Sequence, residues 1–288
     1  MMLRILLLSV SLQAVNLTSP AESGKAIYVW CDNCDSANSI ANRIETPRGY
    51  ERVQVGEGSF EEWLRDLPLK DGCPPVHLYD GSLKGNQSAH CAVVDIDVGK
   101  RDLQQCADAI IRLRAEYLFS KGMYESIHFN LTSGDIADFL RWSKGYRPLV
   151  RGRVVNWQSL EKSDSSYSSF REYLTMVFTY AGTASYSREL NEVGDVGEIK
   201  IGDVFIEGGF PGHAVLVVDV AVDRGTGKRV FLLAQSYMPA QEIHILKNPA
   251  DTVLSPWYGT DFGKDLVTPE WIFERKHLKR SIEKIDIR

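Results

Sequence analysis

The spacing of apolar positions divides the chain into a mixed, helix-bearing first two-thirds and a strand-rich last third. Phe60, Trp63, Leu64 and Leu67 share one helical face, and Ser59 with Glu62 has the capping-box spacing, so a short helix is predicted over residues 59–67. Ile110, Leu113, Tyr117 and Leu118 mark the buried stripe of a longer helix over residues 103–120, with Asp102 as N-cap and Gln105 three residues on. Asp108, Arg112 and Glu116 recur every fourth residue on that helix and read as a solvated ion-pair ladder. Further helices are predicted over residues 134–142 and 170–181, with a serine-rich loop over 163–169. Strands are predicted over residues 26–30, 76–79 and 92–98, then over 201–206, 212–219, 229–235 and 242–246, with a hairpin turn at 223–228. Helices first and an antiparallel meander second give an α+β class.

Composition narrows the function. The chain has 288 residues, 44% hydrophobic and 25% charged, which is ordinary globular usage and excludes whole-chain disorder. A formal net charge of -5 supplies no basic footprint for nucleic acid or an anionic membrane. Arg4, the apolar residues 5–15 and the small residues up to Ala21 read as a signal peptide over residues 1–22, implying export to a periplasm or the extracellular space. No other stretch approaches the roughly 20 apolar residues a spanning helix needs, so no integral membrane span is expected. Residues 23–288 read as a single domain, with an N-terminal subregion at 23–100 and the core at 101–275. No phosphate loop or dinucleotide fingerprint is present, and no cofactor is expected.

Export gives the five cysteines meaning, because thiols in an oxidising compartment tend to pair. Cys31 and Cys34 form a CxxC. The Asp32 carboxylate between them opposes a thiolate, which favours a local disulfide or unrelated thiols over a redox dithiol. No second ligand pair at zinc-finger spacing follows, so no metal is expected. Cys73 and Cys91 could pair, leaving Cys106 over.

Cys106 falls in the first turn of the predicted helix, where unpaired N–H groups and the helix dipole favour a thiolate, although Asp102 and Asp108 oppose it. His213 opens a strand just after Phe210-Pro211-Gly212, and Gln235 lies on the strand expected to pair with it. Thiol, imidazole and orienting amide are the parts of a cysteine nucleophile. Ser236 is the fallback orienter and His90 the alternative base. His128, His244 and His277 read as structural, and Trp257, Tyr258 and Trp271 as core aromatics or groove lining.

The same residues carry a resemblance. Gln105-Cys106-Ala107-Asp108 resembles the cysteine motif of the CHAP amidases, and Ile201-Gly-Asp-Val-Phe205 and Gly212-His213-Ala-Val-Leu-Val-Val218 resemble strands of CHAP and NlpC-type cell-wall peptidases. The strings LQQCADAIIRLRAEYL, GGFPGHAVLVVD and FLLAQSYMPAQEIHILKNP are similar to an uncharacterised family of bacterial exported proteins, over most of residues 45–275, which brings no known activity. The peptidase resemblance implies a papain-like fold: a helix carrying the cysteine packed on an antiparallel sheet, here with an inserted helical region between Cys106 and His213. It implies a cysteine amidohydrolase or thiol protease acting on peptidoglycan peptides or another envelope amide, with Cys106, His213 and Gln235 catalytic and with the Cys106 N–H and the side chain of Gln104 or Gln105 as donors to the oxyanion. The rival is a non-catalytic envelope-binding module, with Cys106 in the core.

Overall fold

The apolar run opened by His213 forms the central strand of the molecule. The structure, a computed structural model, describes residues 28–31 and 34–281; the expected leader lies outside them, as does part of the strand expected at 26–30. The helices of this region are α1 (Ile40–Arg43), α2 (Phe60–Arg65), α3 (Cys106–Ser120), α4 (Phe139–Ser143), α5 (Tyr167–Tyr180) and α6 (Thr183–Glu189). The strands are β1 (Tyr50–Arg52), β2 (His90–Val93), β3 (His128–Asn130), β4 (Ile136–Asp138), β5 (Tyr146–Arg151), β6 (Val154–Ser159), β7 (Leu190–Glu192) and β8 (Val204–Glu207). They continue with β9 (His213–Asp223), β10 (Arg229–Gln235), β11 (His244–Leu246), β12 (Tyr258–Gly259), β13 (Asp265–Val267), β14 (Ile272–Glu274) and β15 (Leu278–Ser281).

The chain is a mixed α and β structure dominated by an antiparallel sheet. Its order is β2-β11-β10-β9-β8-β15-β7, with β1 added to β9 and β12 to β10. The predicted meander corresponds to β8 to β11. The register pairs Glu207 with His213, Ala234 with Leu216 and Gln235 with His244, which gathers His213, Gln235 and His244 at one end of the sheet. Three hairpins, β3–β4, β5–β6 and β13–β14, stand apart from this sheet.

α3 packs on β9 and β10, and its other sides are also covered. Phe119 stacks on Phe170 at 4.4 Å between ring centroids, and Phe139 meets Phe170 at 5.4 Å, so α4 and α5 close over the helix. This burial overturns the expected solvated ladder: Asp108 is 6% exposed, and Arg112 and Glu116 are 0% exposed. Arg112 is held instead as a core cation. It donates to Gln104 Oε1 at 2.6 Å, Asp97 Oδ1 at 2.9 Å and Glu116 Oε1 at 3.3 Å, which compensates its desolvation.

Other boundaries moved for local reasons. α2 begins as expected, with the Ser59 hydroxyl accepting from the Glu62 N–H at 3.1 Å. α3 starts at Cys106 with Gln105 as N-cap, because the Asp102 carboxylate is drawn away to the Ala240 N–H at 2.7 Å and the Gln105 amide at 3.1 Å. Residues 134–142 are not one helix: β4 pairs with β3 first, and α4 begins only after Asp138 caps it through the Arg141 N–H. The serine-rich segment caps rather than loops, since Ser166 accepts from Ser169 N–H at the start of α5. Residues 76–79 make only isolated bridges, His77 to Leu83 and Leu78 to Gln241.

Cys31 and Cys34 form a disulfide. Cys73 and Cys91 do not, in contrast to the suggested pairing: Cys73 is exposed, and Cys91 lies half-buried on β2 with its thiol pushed up to about 11 by burial and then by Cys73. Among the described residues no helix is long and apolar enough to cross a membrane.

Candidate functional site

Cys106 and His213 line one open cavity of about 600 Å³ between the start of α3, the start of α6 and the loops around Phe210 and Met238. The placement follows from the local sequence. Gln105 ends the turn before α3 and donates its N–H to Asp108 Oδ2 at 3.2 Å, leaving Cys106 as the first helical residue. Gly212 sets the other side. A Cβ there would lie 2.5 Å from Thr183 Oγ1 and 2.7 Å from the carbonyls of Glu207 and Gly209, so only glycine lets α6 close against the strand that His213 opens.

The imidazole is 1% exposed and is clamped by rings: Tyr237 at 4.6 Å, Trp271 at 5.4 Å and Phe273 at 5.8 Å between centroids. Its Nε2 meets Gln235 Oε1 at 2.9 Å. The orientation of that amide is determined one step further out. Gln235 Nε2 donates to Glu270 Oε2 at 2.6 Å, and a carboxylate can only accept. Gln235 Nε2 also reaches His244 Nε2 at 3.3 Å, while the His244 Nδ1–H donates to the Glu242 carbonyl at 2.8 Å. Every neighbour therefore turns the Gln235 oxygen towards His213. Nε2 of His213 must then carry the proton and donate, which leaves Nδ1 as the lone-pair nitrogen. Glu270 is itself held by the Lys84 ammonium, a side chain only 4% exposed.

Electrostatics make the resting pair neutral. Burial, and then the Asp108 carboxyl, push the Cys106 thiol up to about 11; N–H groups of Ala107, Ala214 and Cys106 itself pull the other way and lose. The expected advantage of the helix start is thus outweighed by desolvation. Burial lowers His213 to about 4, against a smaller lift from Gln235. A thiol and a neutral imidazole therefore face the cavity over the whole physiological range. Asp108, buried, is raised to about 8 by desolvation.

The remaining sequence candidates separate. Gln105 lines the cavity, but its amide donates to Asp102; Gln104 does not line it, and its Oε1 accepts from Arg112. Ser236 does not orient His213. Its hydroxyl bonds the carbonyls of Gln104 and Gln241, at 3.0 and 2.8 Å, and so ties the turn before Cys106 to the loop after β10. His90 is buried on β2 with Nε2 at 2.9 Å from the Pro74 carbonyl, edge-on to His244 at 5.8 Å, and it does not line the cavity. Trp257 and Tyr258 are core residues, whereas Trp271 lines the cavity and donates to Glu207 Oε2 at 3.1 Å. Asp203, in the Gly-Asp pair before β8, clamps Arg280 of β15 with bonds of 2.6 and 2.7 Å, a structural role.

Sequence reasoning missed Glu270, Lys84 and Tyr237. Tyr237 was within reach, since it stands two residues beyond Gln235 and so shares its face. Glu270 and Lys84 carry no local signal. Among the described residues no group of three or more His, Cys, Asp or Glu side chains is arranged to hold a metal ion.

The chain belongs to a family described as a domain of unknown function (4846), which matches residues 40–280. This agrees with the expected likeness to an uncharacterised family. No curated protein and no solved structure matches the chain.

Proposed function

We propose that this protein is an exported cysteine amidohydrolase of papain-like arrangement, acting on peptide amides of the cell envelope. The observation that carries the reading is the shared cavity: Cys106 on a helix start, His213 on a strand start, and Gln235 bonded to the ring nitrogen that is not needed for catalysis. Because the resting pair is neutral, attack is concerted with proton transfer and does not begin from a stored thiolate. Cys106 Sγ forms a bond to the amide carbonyl carbon as its proton passes to His213 Nδ1. The C–N bond then breaks, and the same proton leaves on the departing amine. Water, deprotonated by Nδ1, cleaves the thioester and regenerates the thiol. N–H groups at the start of α3 are the donors available to the oxyanion. The Cys31–Cys34 disulfide supports an oxidising compartment.

The experiment is release of new amino groups from purified peptidoglycan and its stem peptides. Wild type is expected to release them and Cys106→Ser to release none while keeping the wild-type melting temperature; His213→Ala is expected to release none at a lower melting temperature, because it empties a buried, ring-packed position. Equal release by wild type and Cys106→Ser sinks the reading. One observation favours the binding-module alternative: Phe210, 95% exposed, and Met238, 56% exposed, form an apolar rim suited to recognition. Tight binding of peptidoglycan fragments that survives Cys106→Ser, with no turnover by wild type, would select it.

A further inference from the structure

A second cavity, of about 390 Å³, opens beside the first and differs from it in its ionisable lining. Among the described residues, the Cys106 cavity is lined by Asp102 and Asp108 and by no lysine or arginine, and its neighbour by Arg153 and Arg188 and by no aspartate or glutamate. The two are continuous along three elements. Thr132 lines both, its N–H anchored to the Tyr180 carbonyl at 2.8 Å. Tyr180 lines one and Ala181 the other at the end of α5. On α6, Ala184 lines the first and Arg188, one turn on, the second.

The guanidiniums are available. Arg188 donates its Nε to the Ala184 carbonyl at 2.9 Å, which fixes the side chain along the helix and leaves both terminal nitrogens for another acceptor. Arg153 sits at the tip of the β5–β6 hairpin, and among the described residues neither arginine is ion-paired. The adjacent acid, Glu189, accepts from the Asn130 N–H at 2.5 Å, Asp135 takes the Ser133 hydroxyl at 2.9 Å, and neither lines the cavity. Other arginines are spent structurally: Arg52 and Arg65 on Asp219, Arg112 and Arg171 on Asp97, Arg280 on Asp203. Two forked donors with a threonine hydroxyl beside them match a carboxylate.

We infer that the Arg153–Arg188 cavity is a subsite for a carboxylate on the substrate, so that the cleft selects acidic peptide amides whose anionic group lies beyond the reacting carbonyl on the α6 side. This rests on the hydrolase reading for the direction of the substrate, but binding can be measured without turnover. The probe is N-acetyl-glycyl-glutamate against its diamide, titrated calorimetrically into Cys106→Ala protein. The acid is expected to bind roughly tenfold or more tightly than the diamide at low salt, the advantage shrinking at about 0.5 M salt. Arg153→Ala/Arg188→Ala, altered only at exposed side chains, is expected to bring the ratio near one. Equal binding of acid and diamide, no binding of either at millimolar concentration, or a preference retained in the double variant overturns the inference. The amine-release assay is scored separately: turnover without acid preference refutes this subsite alone, and acid preference without turnover refutes the hydrolase alone.

Discussion

Replacing Asp108 by Asn probes the electrostatics of Cys106 in a way that packing effects cannot imitate. The variant keeps an acceptor for the Gln105 N–H, now 3.2 Å from Oδ2, and removes the charge that raises the thiol after burial has done so. For a separation on the order of 6 Å and an effective dielectric of about 40, the carboxylate–thiolate repulsion is about 1.4 kcal/mol, or about one pK unit. Asp108 itself titrates at about 8, so it bears the charge only above that pH. The two groups are coupled, and the consequence is a pH-dependent ratio. Below about pH 7 both proteins should react alike with iodoacetamide at Cys106, because Asp108 is already neutral there. Above about pH 9 the variant has about ten times the thiolate, reduced to about a threefold faster reaction by the lower nucleophilicity of a less basic sulfur. The assay is alkylation followed at the Cys106 peptide by mass spectrometry, which separates it from Cys73 and Cys91. A ratio that is constant with pH, or a faster wild type at high pH, would refute the reasoning.

The same buried carboxyl links stability to pH. Its value is raised in the fold from 3.8 to about 8, so the stability it contributes is fully present below about pH 4 and is lost as pH rises through 8. Urea unfolding should therefore show Asp108→Asn gaining on wild type by a few kcal/mol between about pH 4 and pH 7, and an unchanging difference would contradict the burial argument. Glu270→Gln should lower kcat with little change in KM, since an amide neighbour lets Gln235 rotate and His213 change tautomer; it also strands the buried Lys84, at a cost of roughly 3–5 kcal/mol. Adding Lys84→Met should restore the melting temperature and leave kcat low, and recovery of kcat would show that Glu270 acts only through stability. Gly212→Ala should force α6 and the His213 strand apart, given the 2.5 Å approach to Thr183, and lose Cys106 turnover at a modest cost in melting temperature. Full activity in that variant would mean that the close approach does not position the histidine.

What the sequence determined by itself was whatever local periodicity can encode. The apolar spacing around Leu113 and Phe170 found the two long helices, the apolar runs and turns after residue 200 found the four-strand meander, and Gly-His beside a hairpin placed His213 and Gln235 on neighbouring strands. Tertiary structure decided what periodicity cannot see. The ladder of Asp108, Arg112 and Glu116 has the spacing of a wet helix face, and only the cover of distant elements buries all three and leaves Arg112 paired with Glu116 in the core. Short strands such as β1, β7 and β15 owe their existence to a sheet edge offered by distant residues, with Asp203 and Arg280 locking one of them. The polarity of the candidate site was decided in the same way. Lys84 and Glu270 lie far apart along the chain, yet their contact orients one amide, that amide assigns one proton on His213, and long-range packing alone brings them together.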